Sequence, residues 1–259
     1  GQRAAPGAIE KVIIDPYTKE PKFKIIGCDL WSNEPKFSDG DIQRKITGIC
    51  GSGIIEVIAE MRTSGILDSA GRIGSFEQTG SKRCIKNNRT QAYVLFEDKE
   101  NNKKILITNE DVRAIQLAKA ALYSGVKLLM DKMNVKKVDK IILAGAFGAH
   151  ISAKHAMILG MIPDCKLKNI HSAGNAAGTG AIIALLNKNS RTEMEKMVKN
   201  ICKIETATSK NFQDYFMYAS NIPHQKDQFL ELKKIVHLPE VNFNSRSKRN
   251  KFRKRLLKI

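Results

Sequence analysis

Three glycine-rich segments have the residue types and spacing to hold a nucleotide. They read GICGSGIIEVIAEM over residues 48–61, KIILAGAFGAH over 140–150 and SAGNAAGTGAIIALL over 172–186. Glycine lets a backbone press against a ligand or a second backbone. A glycine turn that opens a helix also presents unpaired N–H groups and the positive end of the helix dipole. At Gly51, Ser52 and Gly53 the residues serve equally as a phosphate cradle or as tight helix packing with Ser52 as a cap. At Gly145, Ala146 and Phe147 a strand ending in small residues lets a flat ring lie on the backbone. Phe147 either flanks that ring or fills the core. Gly174 and Asn175 follow a strand. Asn175 can donate to a ribose or phosphate, or cap the next helix.

Other chemistry finds less support. There is no G-x-x-x-x-G-K-[ST] and no G-x-G-x-x-G after a strand. His150 and His155 are five apart and share no helix face well, so no metal site is expected there. The five cysteines (Cys28, Cys50, Cys84, Cys165, Cys202) are odd in number, scattered and without a C-x-x-C. That argues against a disulfide framework and against a zinc or iron–sulfur site, and for a reducing cytoplasm. Cys50 reads as a packed thiol. No catalytic residue is assigned.

The elements that must carry these turns follow from periodicity. Val12–Ile14 and Phe23–Ile26 read as a hairpin around Asp15-Pro16-Tyr17. A helix over 54–61 follows the first turn, with Gly65 ending it. Ala92–Phe96 and Lys104–Ile107 form a second hairpin. Thr108, with Asp111 three residues on, caps a long helix over 109–133 whose apolar stripe is Val112, Ile115, Ala118, Leu122, Val126 and Leu129. A buried strand, 138–144, feeds Gly145, and a helix over 152–159 follows. A strand over 169–172 leads to the turn 174–178, which opens a helix over 179–186. Two further helices are expected over 192–201 and 209–218. Strands alternating with helices, with glycine turns at strand ends, predict an α/β fold with its ligand beyond those ends.

The 259 residues suffice for one large domain or two small ones, and no apolar run is long enough to span a bilayer. The net charge of +18 is unevenly spread: Arg246–Lys258 carries eight basic residues and no acid, and the remaining excess is mostly Lys diluted over helices and loops. Charge without a reading motif is weak evidence for nucleic acid, which is not an expected partner. Residues 240–259 are read as a basic tail, disordered in isolation. The chain opens on Gly1 with no initiator Met and no signal segment, and the expectation is a piece of a longer protein.

The segments GQRAAPGAIEKV, TGICGSGIIEVIAEMRTSGILDSAGR, ITNEDVRAIQLAKAALYSGVKLLM, ILAGAFGAHI, LGMIPD and GNAAGTGAIIALL occur in collinear order between residue 1 and about residue 186. In them the chain resembles the C-terminal region of ATP-dependent reductive activators of corrinoid-dependent methyltransferases. These belong to the superfamily of acetate and sugar kinases, heat-shock chaperone ATPases and actin. The resemblance implies an actin-like (ribonuclease H-like) lobe with a mixed sheet and packed helices over residues 1–239. The turn at Gly145 resembles the superfamily's adenosine motif, the helix opening at Gly178 its second connecting helix, and GICGSG the helix start after the second phosphate segment. Implied cofactors are ATP and Mg²⁺. The implied partner is a corrinoid protein or corrinoid-dependent methyltransferase, with a homodimer as a further assembly. The implied work is ATP-driven reduction of cob(II)alamin to cob(I)alamin. The family's two Asp-Ile-Gly-Thr phosphate motifs and its N-terminal [2Fe–2S] domain do not occur in this sequence. Two alternatives stay open: a kinase-fold phosphotransferase on a small substrate, and a basic module binding nucleic acid or an anionic surface.

Overall fold

The run AIEKVII is rich in β-branched residues and forms strand β1 (Ala8–Ile14), with Ala8, Ile9, Val12 and Ile14 buried. The turn that follows is held by Asp15, whose Oδ1 accepts from the backbone N–H groups of Tyr17 and Thr18 at 2.9 and 2.7 Å. The chain returns antiparallel as β2 (Pro21–Ile25). The short β3 (Gly48–Ile49) lies parallel to β1 on its other edge, giving the order β2-β1-β3. The computed structural model describes residues 1–37, 42, 45–145, 148, 150–206 and 209–243.

Helix α1 (Gly51–Thr63) begins directly after β3 and packs on β1, with Ile55, Val57, Ile58, Ala59 and Met61 all buried. Gly53 makes that approach possible, because a Cβ there would collide with the carbonyl oxygen of Ile9 and sit 2.8 Å from Cγ1 of Ile49. Gly65, with φ of 75°, turns the chain away just past the helix end. After the short helix α2 (Phe76–Thr79), β4 (Cys84–Asn87), β5 (Thr90–Asp98) and β6 (Lys103–Thr108) make an antiparallel sheet in that order. The composition of 68–103 signalled the β5–β6 hairpin but not β4. Phe23 of the first sheet meets Phe37 and Phe96 edge-on at 6.0 and 5.9 Å and joins the two sheets.

Helix α3 (Asn109–Lys132) starts at the expected box, in which the Thr108 side chain accepts from the Asp111 N–H and Asp111 accepts from the Thr108 N–H. Its buried face differs from the expected apolar stripe. Val112, Gln116, Lys119, Ala120, Tyr123, Ser124 and Leu128 are buried, whereas Leu122 and Leu129 are about half exposed. The reason is the loop from Ser220 to Pro223, whose carbonyls need donors. Gln116 Nε2 donates to the oxygens of Ala70 and Ser220, and Lys119 Nζ to those of Asn221 and Pro223. Satisfying buried carbonyls selects a polar face over an apolar one.

Strands β7 (Ile141–Ala144) and β8 (Ile170–Gly174) pair in parallel. β7 alternates half-buried and exposed residues, with Ile142 58% exposed, so it is not the fully buried strand expected. Between them α4 (Ala153–Leu159) is capped by Ser152 and packs on α1. Then come α5 (Ala176–Leu186), α6 (Lys188–Lys199), α7 (Phe212–Ala219), which lies on α3, and α8 (Leu230–Lys233). α5 starts at Ala176, so Gly178 lies inside the helix rather than in the turn before it. The segment 239–243 docks back on the core. Arg62 donates to the oxygen of Pro239, and the Phe243 N–H donates to Asp68. The remainder of the expected tail, 244–259, lies outside the described residues.

Candidate nucleotide site

The second and third glycine turns come together because β7 and β8 are neighbours. The Gly145 N–H donates to the Gly174 carbonyl at 2.7 Å, and Ala144 pairs with Gly174. Both glycines have positive φ, 97° and 57°, a region L side chains avoid. A Cβ built on either meets no atom of the described residues within 4 Å, so among these residues the space over both backbones is open. Asn175 is the N-cap of α5, its Oδ1 accepting from the Gly178 N–H at 3.0 Å. Its side-chain amide donors have no partner among the described residues. Two parallel strands thus end in bare backbone beside a capped helix start, a surface on which a flat base and a sugar can lie. Ala146 and Phe147 lie outside the described residues.

The first turn stands in the other parallel unit, between β3 and α1. Gly51 is exposed, Ser52 half-buried and Gly53 buried against β1. No side chain caps α1. Cys50 Sγ instead donates to the Ile9 carbonyl at 3.3 Å and lies 3.2 Å from Ser52 Oγ. Gly53 therefore has a packing role, while the N–H groups of the first helical turn keep the electropositive end that an anion would meet. Gln2 braces this corner, its N–H donating to Ile49 and its side chain to Thr47.

A second constellation was missed by reading residue types along the chain. Glu56 and Glu60, four apart among the apolar residues 54–61 of α1, both point at β1. Glu56 Oε2 accepts from the Val12 N–H at 2.9 Å and Glu60 Oε2 from the Ile14 N–H at 3.0 Å. Beyond Ile9, β1 has no strand on this edge among the described residues, and the two carboxylates accept from its N–H groups there. From α4, His155 inserts between them. Its Nε2 is 3.0 Å from Glu60 Oε1, and its Nδ1 is 3.7 Å from Glu56 Oε1. His155 is 9% exposed, and Nδ1 is buried with no hydrogen-bond partner. Burial raises the Glu56 carboxyl above the usual range. Burial would do the same to Glu60, but the hydrogen bonds from His155 and the Ile14 amide outweigh it and leave that group lowered. The available signal was two glutamates at a spacing of four inside GSGIIEVIAEM, where nothing but burial faces them.

His155 and Glu60 also line a cavity of about 830 Å³, roofed by Ile235, Val236, Pro239 and Val241. Two smaller cavities, about 510 and 370 Å³, open beside Phe23–Arg83 and Tyr123–Asp164. None of the three is lined by a glycine turn. Among the described residues no three His, Cys, Asp or Glu side chains converge as metal ligands, and no helix is long and apolar enough to cross a membrane.

Parallel strands ending in glycine turns, each beside a helix, on a mixed α/β frame define an actin-like domain of the ASKHA class. Over residues 1–233 the chain matches the family described as the C-terminal domain of RACo, the ASKHA domain, and it belongs to that family. The corrinoid activation enzyme RamQ of Eubacterium limosum is 31% identical over 232 residues, which are 84% of this chain and 35% of that protein. A solved reductive activator for corrinoid, iron–sulfur protein superposes with a TM-score of 0.71 at 30% identity, over 87% of this chain and 34% of that one. The chain therefore spans about a third of the length of these relatives.

Proposed function

We propose that this chain supplies the adenosine-side lobe of an ATP-dependent activator that drives reduction of cob(II)alamin to cob(I)alamin in a corrinoid protein. Gly145, Ala146, Phe147, Gly174 and Asn175 face the nucleoside, and Gly51, Ser52 and Gly53 face phosphate. The observation that carries this reading is the Gly145–Gly174 hydrogen bond, which joins two turns with no described residue over either glycine. The names of the two relatives support the corrinoid partner. Bound ATP would supply the free energy for domain closure. The chain's own residues supply the surface: bare backbone for the base, the free amide of Asn175 for a hydroxyl or phosphate oxygen, and the open turn of α1 for charge. The described residues offer no carboxylate cluster for Mg²⁺, so no metal-held step is assigned to them.

Asn175→Asp tests the site with little disturbance. The carboxylate still accepts from the Gly178 N–H and suits a helix N-terminus, so α5 is retained. It removes a donor and sets a negative charge against the nucleotide. Binding of a fluorescent ATP analogue is expected to weaken about tenfold or more, with the thermal midpoint preserved. Unchanged affinity in the folded variant would remove Asn175 and the β8–α5 turn from the site.

A further inference from the structure

The Glu56–His155–Glu60 group has one contact made and one left open. With a neutral imidazole, Nε2–H donates to Glu60 and Nδ1 presents a lone pair to Glu56 Oε1 at 3.7 Å. Two acceptors face each other there, and neither can bond the other. That accounts for the buried Nδ1 being unpaired. One additional proton, on Nδ1 or on Glu56, turns this gap into a donor–acceptor pair. A hydrogen bond of ordinary length then requires α4 and α1 to approach by somewhat under ~1 Å. The far oxygens of both glutamates are anchored on the β1 amides, so the movable partner is α4.

We propose that Glu56, His155 and Glu60 form a proton-operated latch between α1 and α4, open on the Glu56 side as described and closed when one added proton bridges Nδ1 of His155 and Oε1 of Glu56. His155 is then a positioning residue. α1 begins at the Gly51–Gly53 turn and α4 is the helix that follows the second turn in the chain, so closing the latch draws that helix toward the one that opens on the first turn. This link to nucleotide rests on the function proposed above; the latch itself does not. The charged and titratable groups around it are Lys11 on β1, Lys154 on α4, and Lys19 and His237 on the wall of the adjoining cavity. Lys11 and Lys154 favour the unprotonated carboxylates and oppose closure. The raised Glu56 carboxyl favours it. Because closing takes up a proton, whatever favours closure also tightens proton binding.

Nitrogen NMR of the full chain labelled at histidine reads the latch directly, with His155 assigned from the spectrum of His155→Gln. On acidification from about pH 8.5 to about pH 5.5 without nucleotide, the Nδ1 resonance is expected to move to the position of a protonated, hydrogen-bonded nitrogen while Nε2 stays bonded. In Glu56→Gln the side-chain amide, whose oxygen accepts from the Val12 N–H, turns its NH2 toward Nδ1, so Nδ1 should stay an unprotonated acceptor and the acid-induced move should be lost. Amide exchange across α4 should slow on acidification in the parent chain and not in Glu56→Gln. An Nδ1 resonance that stays put, or that moves identically in Glu56→Gln, overturns the latch. In a second arm an ATP analogue is added at fixed pH. It should produce the same Nδ1 change, and His155→Gln, which keeps a donor to Glu60, should bind the analogue about fivefold or more weakly at an unchanged thermal midpoint. If acid closes the latch but the analogue neither binds nor shifts Nδ1, the nucleotide reading fails and the latch stands. If the analogue binds normally to a chain whose Nδ1 never responds, the reverse holds.

Discussion

Two glutamates one helical turn apart, sharing one histidine, are expected to respond to the same substitution in opposite ways. Glu60 is lowered in the folded chain, so its contribution is present above its ordinary range and lost as pH falls through the folded value. Glu56 is raised, chiefly by burial. It favours the folded state in acid, and that contribution is lost as pH rises through the raised value. Glu60→Gln should therefore cost about 1–3 kcal/mol at neutral pH and much less in acid. Glu56→Gln should be neutral or stabilising by up to ~1 kcal/mol at neutral pH, because the amide still accepts from Val12 without a buried charge. Urea unfolding at about pH 4 and about pH 7.5 measures both. Equal losses for the two variants at neutral pH would contradict this assignment of the charge. The residue types at Gly145, Gly174 and Asn175 were legible along the chain because glycine and asparagine have few other reasons to stand at strand ends. His155 was not, because its partners lie 95 and 99 positions away on another helix.

At the scale of elements, α3 shows a helix face chosen by its neighbour. Lys119 is almost wholly buried, and burial pushes its ammonium down to about 7. Two carbonyls of the 221–223 loop accept from it, and each would be stranded if the side chain became apolar. Alongside, Tyr123 stacks on His224 at a centroid distance of 4.9 Å and donates to Asp227. His224 Nδ1 accepts from the N–H groups of Lys226 and Asp227, and burial holds its imidazole down to about 4, hence neutral. With Lys119 lowered in the folded state, the unfolded chain binds more protons between about pH 7 and about pH 10. Stability is therefore expected to rise over that window by up to about 1 kcal/mol per pH unit in its middle. Lys119→Met should flatten the rise while lowering stability by about 2 kcal/mol through the stranded carbonyls. A rise of the same slope in Lys119→Met would show that another group carries it.

For the whole molecule, the last docked contacts among the described residues fall at Pro239 and Phe243. Truncation after Leu238 removes an acceptor from the buried Arg62 and should lower the thermal midpoint by about 4–8 °C, from a loss of about 2 kcal/mol. Truncation after Ser245 removes a segment with few apolar residues and much like charge, and should leave the midpoint nearly unchanged. A comparable fall for both truncations, read by calorimetry, would mean that the basic segment packs too. These 259 residues hold no Asp-Ile-Gly-Thr segment, and positioned phosphate and metal contacts carry phosphoryl transfer. The purified chain is accordingly expected to bind an ATP analogue with little or no hydrolysis. Robust magnesium-dependent phosphate release would overturn that. α5 presents an apolar surface to solvent. It is apolar all round, yet Ile182, Leu185 and Leu186 are 59%, 77% and 79% exposed, and an all-apolar helix is ordinarily covered.

Local chemistry was decided by the sequence alone. Runs of β-branched and aromatic residues made β1 and β5, the Thr108–Asp111 box started α3, Ser152 and Asn175 capped their helices, and glycine marked where the backbone had to turn or be approached. Those features act over a few residues, so their signals sit next to one another in the chain. The tertiary structure alone decided which turns meet, which face of α3 is inside, and what α1 does with two buried carboxylates. Each of these depends on a polar group finding a partner from a distant segment. Gly145 finds Gly174, Lys119 finds the 221–223 loop, and His155 finds Glu60. The cost of leaving such a group buried and unpaired is what selects those pairings. No pattern of neighbouring residues records it.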